Sequence, residues 1–230
     1  MLFGIEWDAT NSWTLAVSIF PILLHGLWVT LQATVLGFFI AVVLGLVLAV
    51  LKAAPTRLVS WPTRLVSEFL RDTPLLIQLF FLYYVLPEFG IVLPAFLTGA
   101  IALGVQYSAY LSEVYRAGIE AVPVGQNEAA RALNFAPTRT FTHIILPQAI
   151  PRIVPAMGNY LVSISKDVPV LSVVTVLELL NVATIIGDRT FNYLVPLSMV
   201  GGLYLIMTLL AAQGVKRLDM ALPKTGIPLK

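Results

Sequence analysis

The stretch LWVTLQATVLGFFIAVVLGLVLAVL, residues 27–51, contains no charged side chain and is long enough to cross the hydrocarbon core of a bilayer as one helix. Its solid runs of Leu, Val and Ile lack the alternation of a membrane-barrel strand, so only a helix fits. Apolar stretches further along the chain repeat the pattern. They predict five membrane-crossing helices in all, near residues 27–51, 69–87, 94–115, 151–182 and 194–214.

Two features of the first apolar region leave alternatives open. Residues 12–24 are apolar, but the stretch is short and contains Pro21, so it either lies at the membrane interface or extends the first helix outward. Small residues recur every four positions in the first helix, which lets another helix approach closely. That partner is a helix of the same chain or of another subunit, and the first is favoured. The small residues are Gly37, Ala41, Gly45 and Ala49.

The composition of the whole chain indicates the same class. Of 230 residues, 58% are apolar and 11% charged, whereas soluble domains average roughly 45–50% apolar and about 25% charged residues. So few charges exclude a soluble monomer and intrinsic disorder. The absence of cysteine excludes disulfides and thiol sites, and His25 and His143 lack metal-ligand spacing. We therefore predict an all-α integral membrane protein, one domain over residues 1–230, with no metal site and no nucleic-acid partner.

The basic residues predict how the helices are oriented. Twelve of the fourteen follow the first, third or fifth predicted crossing, which places all twelve on one side of the membrane. The positive-inside rule then puts the N-terminus outside and the C-terminus in the cytoplasm. The twelve are Lys52, Arg57, Arg64, Arg71, Arg116, Arg131, Arg139, Arg152, Lys216, Arg217, Lys224 and Lys230.

The long cytoplasmic loop at residues 120–148 predicts a short helix, a turn and a second short helix. Residues 124–136 are good helix formers, with Glu128 and Arg131 at i, i+3. Pro137 ends this helix, and Asn134 can take the left-handed conformation found just after helix ends. From helix physics alone, a docking surface for another protein and an amphipathic helix on lipid headgroups are equally good interpretations.

Charged residues inside the fourth crossing predict a broken helix near residues 166–169. Lys166 and Asp167 interrupt the apolar run, and Pro169 prevents the helix from continuing. A lone charge at this depth costs at least about 2.5–3.5 kcal/mol, so we expect the two side chains to neutralise each other or to cap the broken ends. Such breaks often border a substrate site, and a structural ion pair that holds the break is an equal alternative.

Other polar residues in the apolar runs are candidate contacts for a transported solute. Gln78 and Gln106 can bind a polar solute or hydrogen-bond a neighbouring helix, and the second role is the commoner. Glu178 is expected to end the second half of the broken helix, on the solute path or as a loop carboxylate. Glu113 is expected to pair with Arg116 at i+3, at the cytoplasmic border. No residue is predicted to be catalytic.

Several motifs, spaced in order along the chain, resemble those of one family. Glu128-Ala129-Ala130, then Asn134, then Ile145-Leu146-Pro147 resemble the EAA loop of permease subunits of binding-protein-dependent ABC importers, although that loop usually has Gly where this chain has Asn134. RDTPLLIQ at residues 71–78 and AYLSEVYRAGI at residues 109–119 are similar to stretches of the polar amino acid (His/Glu/Gln/Arg/opine) branch.

One departure from that branch bears on the substrate. The branch has KDTSL where residues 166–170 read KDVPV, so two hydroxyls are lost and a proline is gained. Together with WPTRL at residues 61–65 and QAIPR at residues 148–152, this stretch is similar to the ectoine/hydroxyectoine-type permeases. The resemblance therefore implies import of a polar amino acid or an amino-acid-like zwitterion.

The resemblance also implies a fold, partners and a location. It implies a type I ABC importer permease fold in the bacterial cytoplasmic (inner) membrane, with an ATP-binding cassette ATPase dimer, a second permease subunit (identical or paralogous) and an external solute-binding protein as partners. The helix in the loop would be the coupling helix, and its expected ATPase contacts are Gly125, Glu128, Ala129, Ala130, Arg131 and Asn134. The expected solute path includes Gln78, Gln106, Lys166, Asp167 and Glu178.

Two further expectations concern activity. The chain has no GxxxxGK[ST] phosphate loop, so we expect no enzyme activity and no cofactor in it; ATP and Mg would be bound by the partner ATPase. The alternative function is a gradient-driven channel or a component of a secondary transporter. Five crossings without a visible inverted repeat argue against it.

Overall fold

Helices form nearly all of the part of the chain that a computed structural model describes, namely residue 2, residues 7–8 and residues 10–223. Lys224 and Lys230, counted above among the basic residues, lie outside it. The α-helices within it are α1 (Ser12–Lys52), α2 (Arg57–Asp72), α3 (Leu75–Phe80), α4 (Ala95–Glu120), α5 (Val124–Ala132), α6 (Pro137–Thr140), α7 (Leu146–Asp167), α8 (Leu179–Thr190) and α9 (Leu194–Ala221). Short π or 3-10 segments extend or connect them at Phe81–Val85, Leu86–Phe89, Phe141–Ile145 and Val168–Val174.

The first helix is longer than the apolar stretch that predicts it. α1 runs without a break through 41 residues, so residues 12–24 extend the first helix outward, the second of the two placements considered above. Asn11 caps its start, because the side-chain oxygen accepts the backbone N–H groups of Trp13 and Thr14 at 2.9 Å each. At 1.5 Å per residue α1 is roughly 60 Å long, about twice the thickness of the hydrocarbon core.

The second predicted crossing, near residues 69–87, contains a sharp bend. α2 ends at Asp72, and the chain bends by 105° before it continues as Leu75–Phe89, so residues 69–72 belong to α2 rather than to the crossing. Pro74 explains the bend, because a proline disfavours helical geometry in the residue before it, and Thr73 is extended with ψ 136°. The uniform hydrophobicity of residues 69–87 conceals this turn.

The helical geometry changes at the residues where a break in the fourth crossing is predicted. α7 ends at Asp167, the 3-10 segment Val168–Val174 follows, and α8 is inclined by 48° to the helical segment before it. Among the described residues, α1 and α9 are each long and apolar enough to cross a membrane unaided, and four spans result if each bent pair counts as one. The remaining predicted crossing, the third, near residues 94–115, corresponds to α4, which has 26 residues and several buried polar side chains.

The central packing contact is between α1 and α4. A Cβ built on Gly45 of α1 would lie 3.0 Å from the Ser108 carbonyl oxygen of α4, and one built on Gly104 of α4 would lie 2.4 Å from Ile40 Cγ2 of α1. Ala41 between them is fully buried. The small-residue stripe of α1 therefore packs within the chain, as favoured above.

We expect Gly104→Leu to lower the free energy of unfolding by about 1–3 kcal/mol, because the added side chain overpacks the α1–α4 contact. Thermal unfolding of the detergent-solubilised chain measures the effect. Gly201→Leu on α9 is the matched control, since no atom of the described residues lies within 4 Å of a Cβ added there. Equal unfolding temperatures for the two variants would contradict this account of the packing.

Candidate functional site

The bend between α2 and α3 brings the two predicted glutamines together. The Gln78 side-chain amide donates to the Leu70 carbonyl oxygen and to the Thr73 hydroxyl, both at 2.8 Å, and the Gln106 amide donates to the Thr73 carbonyl oxygen at 3.4 Å. These bonds satisfy carbonyls that the bend frees, so the NH2 group of each glutamine contributes to helix packing. Their Oε1 atoms are buried and lack a hydrogen-bond partner among the described residues.

Asp167 lies beside a cluster of three tyrosines. The Tyr107 hydroxyl donates to Asp167 Oδ2 at 2.6 Å. The rings of Tyr107, Tyr110 and Tyr160 form a triangle with centroid separations of 5.8, 6.1 and 5.8 Å. α4 contributes two of these rings, spaced i, i+3, and α7 contributes the third together with Asp167, spaced i, i+7. The result is one polar and aromatic surface made by two helices, which we call the tyrosine–aspartate cluster.

The expected neutralisation between Lys166 and Asp167 is wrong. Neither residue takes part in an ion pair among the described residues, and Lys166 is exposed. Successive residues of a helix point about 100° apart, so neighbours cannot easily pair. Asp167 also makes no capping hydrogen bond to the 3-10 segment that follows it. The carboxylate is held by Tyr107 instead, and the ammonium group has no protein partner in the described part of the chain.

Glu178 begins a helix rather than ending one, which corrects the expectation for it. Its carboxylate accepts the backbone N–H groups of Leu180 at 2.8 Å and Asn181 at 2.6 Å, and the Tyr204 hydroxyl at 3.1 Å. The side chain is completely buried. A carboxylate is well placed at the positive end of a helix dipole, and this one caps α8. Its oxygens already accept hydrogen bonds from α8 and from Tyr204, so they are not free to bind a solute.

The predicted pair of Glu113 and Arg116 is confirmed and is part of a larger group. Glu113 Oε2 lies 2.8 Å from Arg116 Nε, and Arg116 Nη1 lies 2.6 Å from Glu120 Oε2. Lys52 of α1 adds a buried contact, since its Nζ lies 2.9 Å from Glu113 Oε1 and 2.8 Å from Ser112 Oγ. This Lys52 contact joins residues sixty-one positions apart, and sequence reasoning missed it.

The predicted coupling segment is a short helix with an exposed polar side. α5 ends at Ala132, four residues before the predicted end, and Asn134 is left-handed with φ 58°, as its position before the proline predicted. The Phe135 N–H donates to the Ala130 carbonyl oxygen at 3.0 Å and closes the turn. The exposed residues among those expected to contact an ATPase are Gly125, Glu128, Ala129, Arg131 and Asn134.

Ala130 behaves differently from its neighbours on α5. Its side chain is only 1% exposed, and α5 packs on the segment Phe141–Ile145. A larger residue at position 130 would therefore disturb the packing of the loop itself before it could obstruct a docking partner. Ala130, one of the expected ATPase contacts, is therefore buried in the loop, whereas Glu128 and Ala129 of the same motif are exposed.

The tyrosines of the cluster are the site residues that sequence reasoning overlooked. Their signal was the spacing of Tyr107 with Tyr110 on one predicted helix and of Tyr160 with Asp167 on another. Each spacing places two side chains on one helix face, but only tertiary structure shows that the two faces meet. In the described part of the chain no group of three or more His, Asp or Glu side chains is placed to hold a metal ion.

Comparison with known proteins gives consistent matches along almost the whole chain. Residues 41–221 match the family described as "Binding-protein-dependent transport system inner membrane component". The chain is 66% identical to a probable amino-acid ABC transporter permease protein, y4tG, of Sinorhizobium fredii, with all of both chains covered. It is 35% identical to the arginine transport system permease protein ArtQ of Bacillus subtilis, covering 83% of this chain and 87% of that one.

A solved structure matches the fold as well. The "Crystal structure of an amino acid ABC transporter with histidines" superposes with a TM-score of 0.85 at 36% sequence identity. The match covers 89% of this chain and 95% of that chain.

Proposed function

Because the chain belongs to the binding-protein-dependent transport system inner membrane component family, and is the transmembrane subunit of an amino-acid ABC importer, we propose that its solute is a polar amino acid or an amino-acid-like zwitterion that passes the tyrosine–aspartate cluster. The chain has the all-helical type I permease fold of that family. Permease subunits are not enzymes, and ATP hydrolysis belongs to a separate subunit.

The observation that carries the proposal is the tyrosine–aspartate cluster itself. A carboxylate beside three aromatic rings suits an ammonium group, which gains a charge-assisted hydrogen bond from the one and cation–π attraction from the others. Lys166 supports the same class of solute, because its ammonium group is exposed and unpaired among the described residues and can meet a carboxylate. Lys166 and Asp167 carry opposite charges but do not pair with each other. They therefore suit the two charged groups of a zwitterion better than they suit a structural ion pair.

The two glutamines give the proposed path further polar contacts. The buried Oε1 atoms of Gln78 and Gln106 accept no hydrogen bond among the described residues, so each can accept one from a solute N–H group. Glu178 has no part in the path, because its oxygens are committed to the start of α8 and to Tyr204. Its role is structural.

We assign coupling to the exposed side of α5. Gly125, Glu128, Ala129 and Arg131 form a low surface, suited to a groove in an ATPase dimer. A second permease subunit and an external solute-binding protein complete the proposed importer in the bacterial cytoplasmic membrane. The N-terminus lies outside and the C-terminus inside, as the basic residues predict.

The decisive experiment is substrate-stimulated ATP hydrolysis by the reconstituted complex with its binding protein. The panel contains arginine, histidine, glutamine, ectoine and hydroxyectoine, with a neutral sugar as the control. We expect one or more zwitterions, and not the sugar, to stimulate hydrolysis several-fold. The stretch KDVPV at residues 166–170 is the reason for including the ectoines.

Two outcomes would contradict this proposal. Stimulation by the sugar alone would refute the substrate class. Uptake driven by an ion gradient without ATP would establish the channel or secondary-transporter alternative, which no feature of the family or of the fold favours.

A further inference from the structure

A charged cavity lies where α1, α2 and α4 meet. Its neighbour is the tyrosine–aspartate cluster, since the Tyr110 hydroxyl donates to the carbonyl oxygen of Arg71, which lines the cavity, at 3.3 Å. The volume of the cavity is about 450 Å³. The positive-inside rule places this end of α1 and α4 at the cytoplasmic leaflet. The charged residues that line it are Lys52, Arg64, Glu68, Arg71, Glu113, Arg116 and Glu120.

The charges of this cavity do not balance. Lys52 and Arg116 are held by Glu113 and Glu120 at 2.6–2.9 Å. Arg64 and Arg71 remain without an ion pair among the described residues, and Glu68, which also lacks one, offsets only one of them. The Nε atom of Arg71 is buried and has no hydrogen-bond partner among the residues that the structure describes. A buried donor without a partner is costly, so an anion in the cavity would remove that cost.

The other side of α2 is apolar and exposed. Leu58, Trp61, Leu65 and Phe69 are spaced i, i+3, i+7 and i+11 and are 87%, 64%, 46% and 63% exposed. This spacing gives one stripe along the helix, and we call it the α2 stripe. α2 is bent by 105° from the crossing that follows it, so it lies across the direction of that crossing. An amphipathic helix in this orientation, with a tryptophan on its apolar side, is typical of a membrane interface.

Arg64 connects the two sides of α2. It lines the charged cavity and also borders a shallow groove beside Trp61 that Arg57, Leu58, Ser60 and Pro62 complete. A bound molecule with one negative charge at its head and an apolar body would reach both the cavity and the groove. Free phosphate would use only the cavity.

We propose that Arg64 and Arg71 bind the phosphate of an anionic phospholipid of the cytoplasmic leaflet, whose acyl chains lie along the α2 stripe. The guanidinium group presents paired donors that match phosphate oxygens, and two of them surround one cavity. A phosphate diester carries a single negative charge, which matches the one cation in excess. The site depends on no step of solute transport.

The test uses the fluorescence of Trp61, which lies on the α2 stripe, to detect contact with lipid. Trp7, Trp13 and Trp28 are replaced by Phe, so that Trp61 is the only tryptophan of this chain, and the assembled importer is placed in vesicles. The same importer with Trp61→Phe gives the emission of the other subunits, which is subtracted. Phosphatidylglycerol or phosphatidylcholine with brominated acyl chains quenches a tryptophan that it contacts. We expect brominated phosphatidylglycerol to reach half-maximal quenching at a mole fraction lower by roughly fivefold for each arginine contact.

Variants then locate the headgroup. Arg64→Gln and Arg71→Gln should each remove most of the preference for phosphatidylglycerol, while quenching by brominated phosphatidylcholine stays unchanged and shows that α2 is still at the membrane. Arg217→Gln removes the same charge from the exposed end of α9, outside both the cavity and the groove, so the preference should persist.

Four results would overturn the proposal. Equal quenching by the two lipids in the protein with all arginines present would show that no anionic site exists. An equal loss of preference in Arg217→Gln would indicate attraction to the surface charge alone. Relief of quenching by millimolar inorganic phosphate would identify a site for free phosphate. Absence of quenching by either lipid would show that the second permease subunit covers α2.

Discussion

Replacing Asp167 by Asn is expected to lower solute uptake by roughly ten- to hundredfold, because charge-assisted hydrogen bonds contribute about 1.5–3 kcal/mol. Asn keeps an acceptor for the Tyr107 hydroxyl, so the protein should be produced in normal amounts and should retain its ATPase. Uptake into vesicles, divided by the detergent-extracted yield of the complex, measures the effect. The substitution leaves α5 unchanged, so a correctly folded permease should still bind its ATPase. Reduced uptake with the ATPase bound indicates a transport defect, whereas loss of the ATPase indicates a folding defect.

Asp188→Asn is the matched control for that experiment. Asp188 also accepts a hydrogen bond from a tyrosine hydroxyl, that of Tyr193, but it lies on α8 away from the tyrosine–aspartate cluster. Its replacement should leave uptake unchanged. Full uptake in Asp167→Asn at normal yield would remove this carboxylate from the solute path. If Asp167 only maintained the break by holding Tyr107, Asp167→Asn would instead lower the yield and the uptake together.

Glu128→Lys is expected to weaken capture of the ATPase at least about tenfold and to reduce ATP-driven uptake in proportion. Glu128 is exposed on α5 and makes no ion pair within the described residues, so the change should leave the fold intact. Reversing a charge at a close docking contact replaces attraction by repulsion, which costs several kcal/mol. The amount of ATPase that co-purifies with the tagged permease measures docking.

Glu88→Lys provides the same charge reversal on the exposed segment Leu86–Phe89, which the positive-inside rule places on the opposite side of the membrane. It should not change ATPase capture. Normal capture and uptake in Glu128→Lys would show that α5 is not the docking surface. If α5 instead lies on the lipid headgroups, the added lysine should strengthen its attraction to anionic lipid and leave the amount of captured ATPase unchanged.

The structure also changes how the EAA segment has to be tested. A bulky residue at position 130 is no test of docking, because Ala130 is buried and such a residue would disturb the loop. Exposed positions such as Glu128 and Arg131 report on a partner more directly. The motif in the sequence contains both kinds of position, and it does not distinguish them.

The sequence by itself determined the features that depend on neighbours within a turn or two. The charge-free run at residues 27–51 required a membrane helix, the Lys-Asp-Val-Pro order at residues 166–169 required a break, and Asn134 before a proline produced a left-handed turn. Each follows from solvation or backbone sterics at a few consecutive residues. Those rules apply whatever the rest of the chain does.

Tertiary structure alone decided which side chains meet. Asp167 contacts a tyrosine sixty residues away instead of its neighbour Lys166, and Lys52 finds Glu113 at a similar separation. Glu178 caps a helix whose start no local signal identified. Helix periodicity gives the side chains that share a face, but the rotation of each helix about its axis is set by packing against its partners. The close approach of α1 and α4 at their glycines fixes that rotation, and with it the charged cavity that they form with α2.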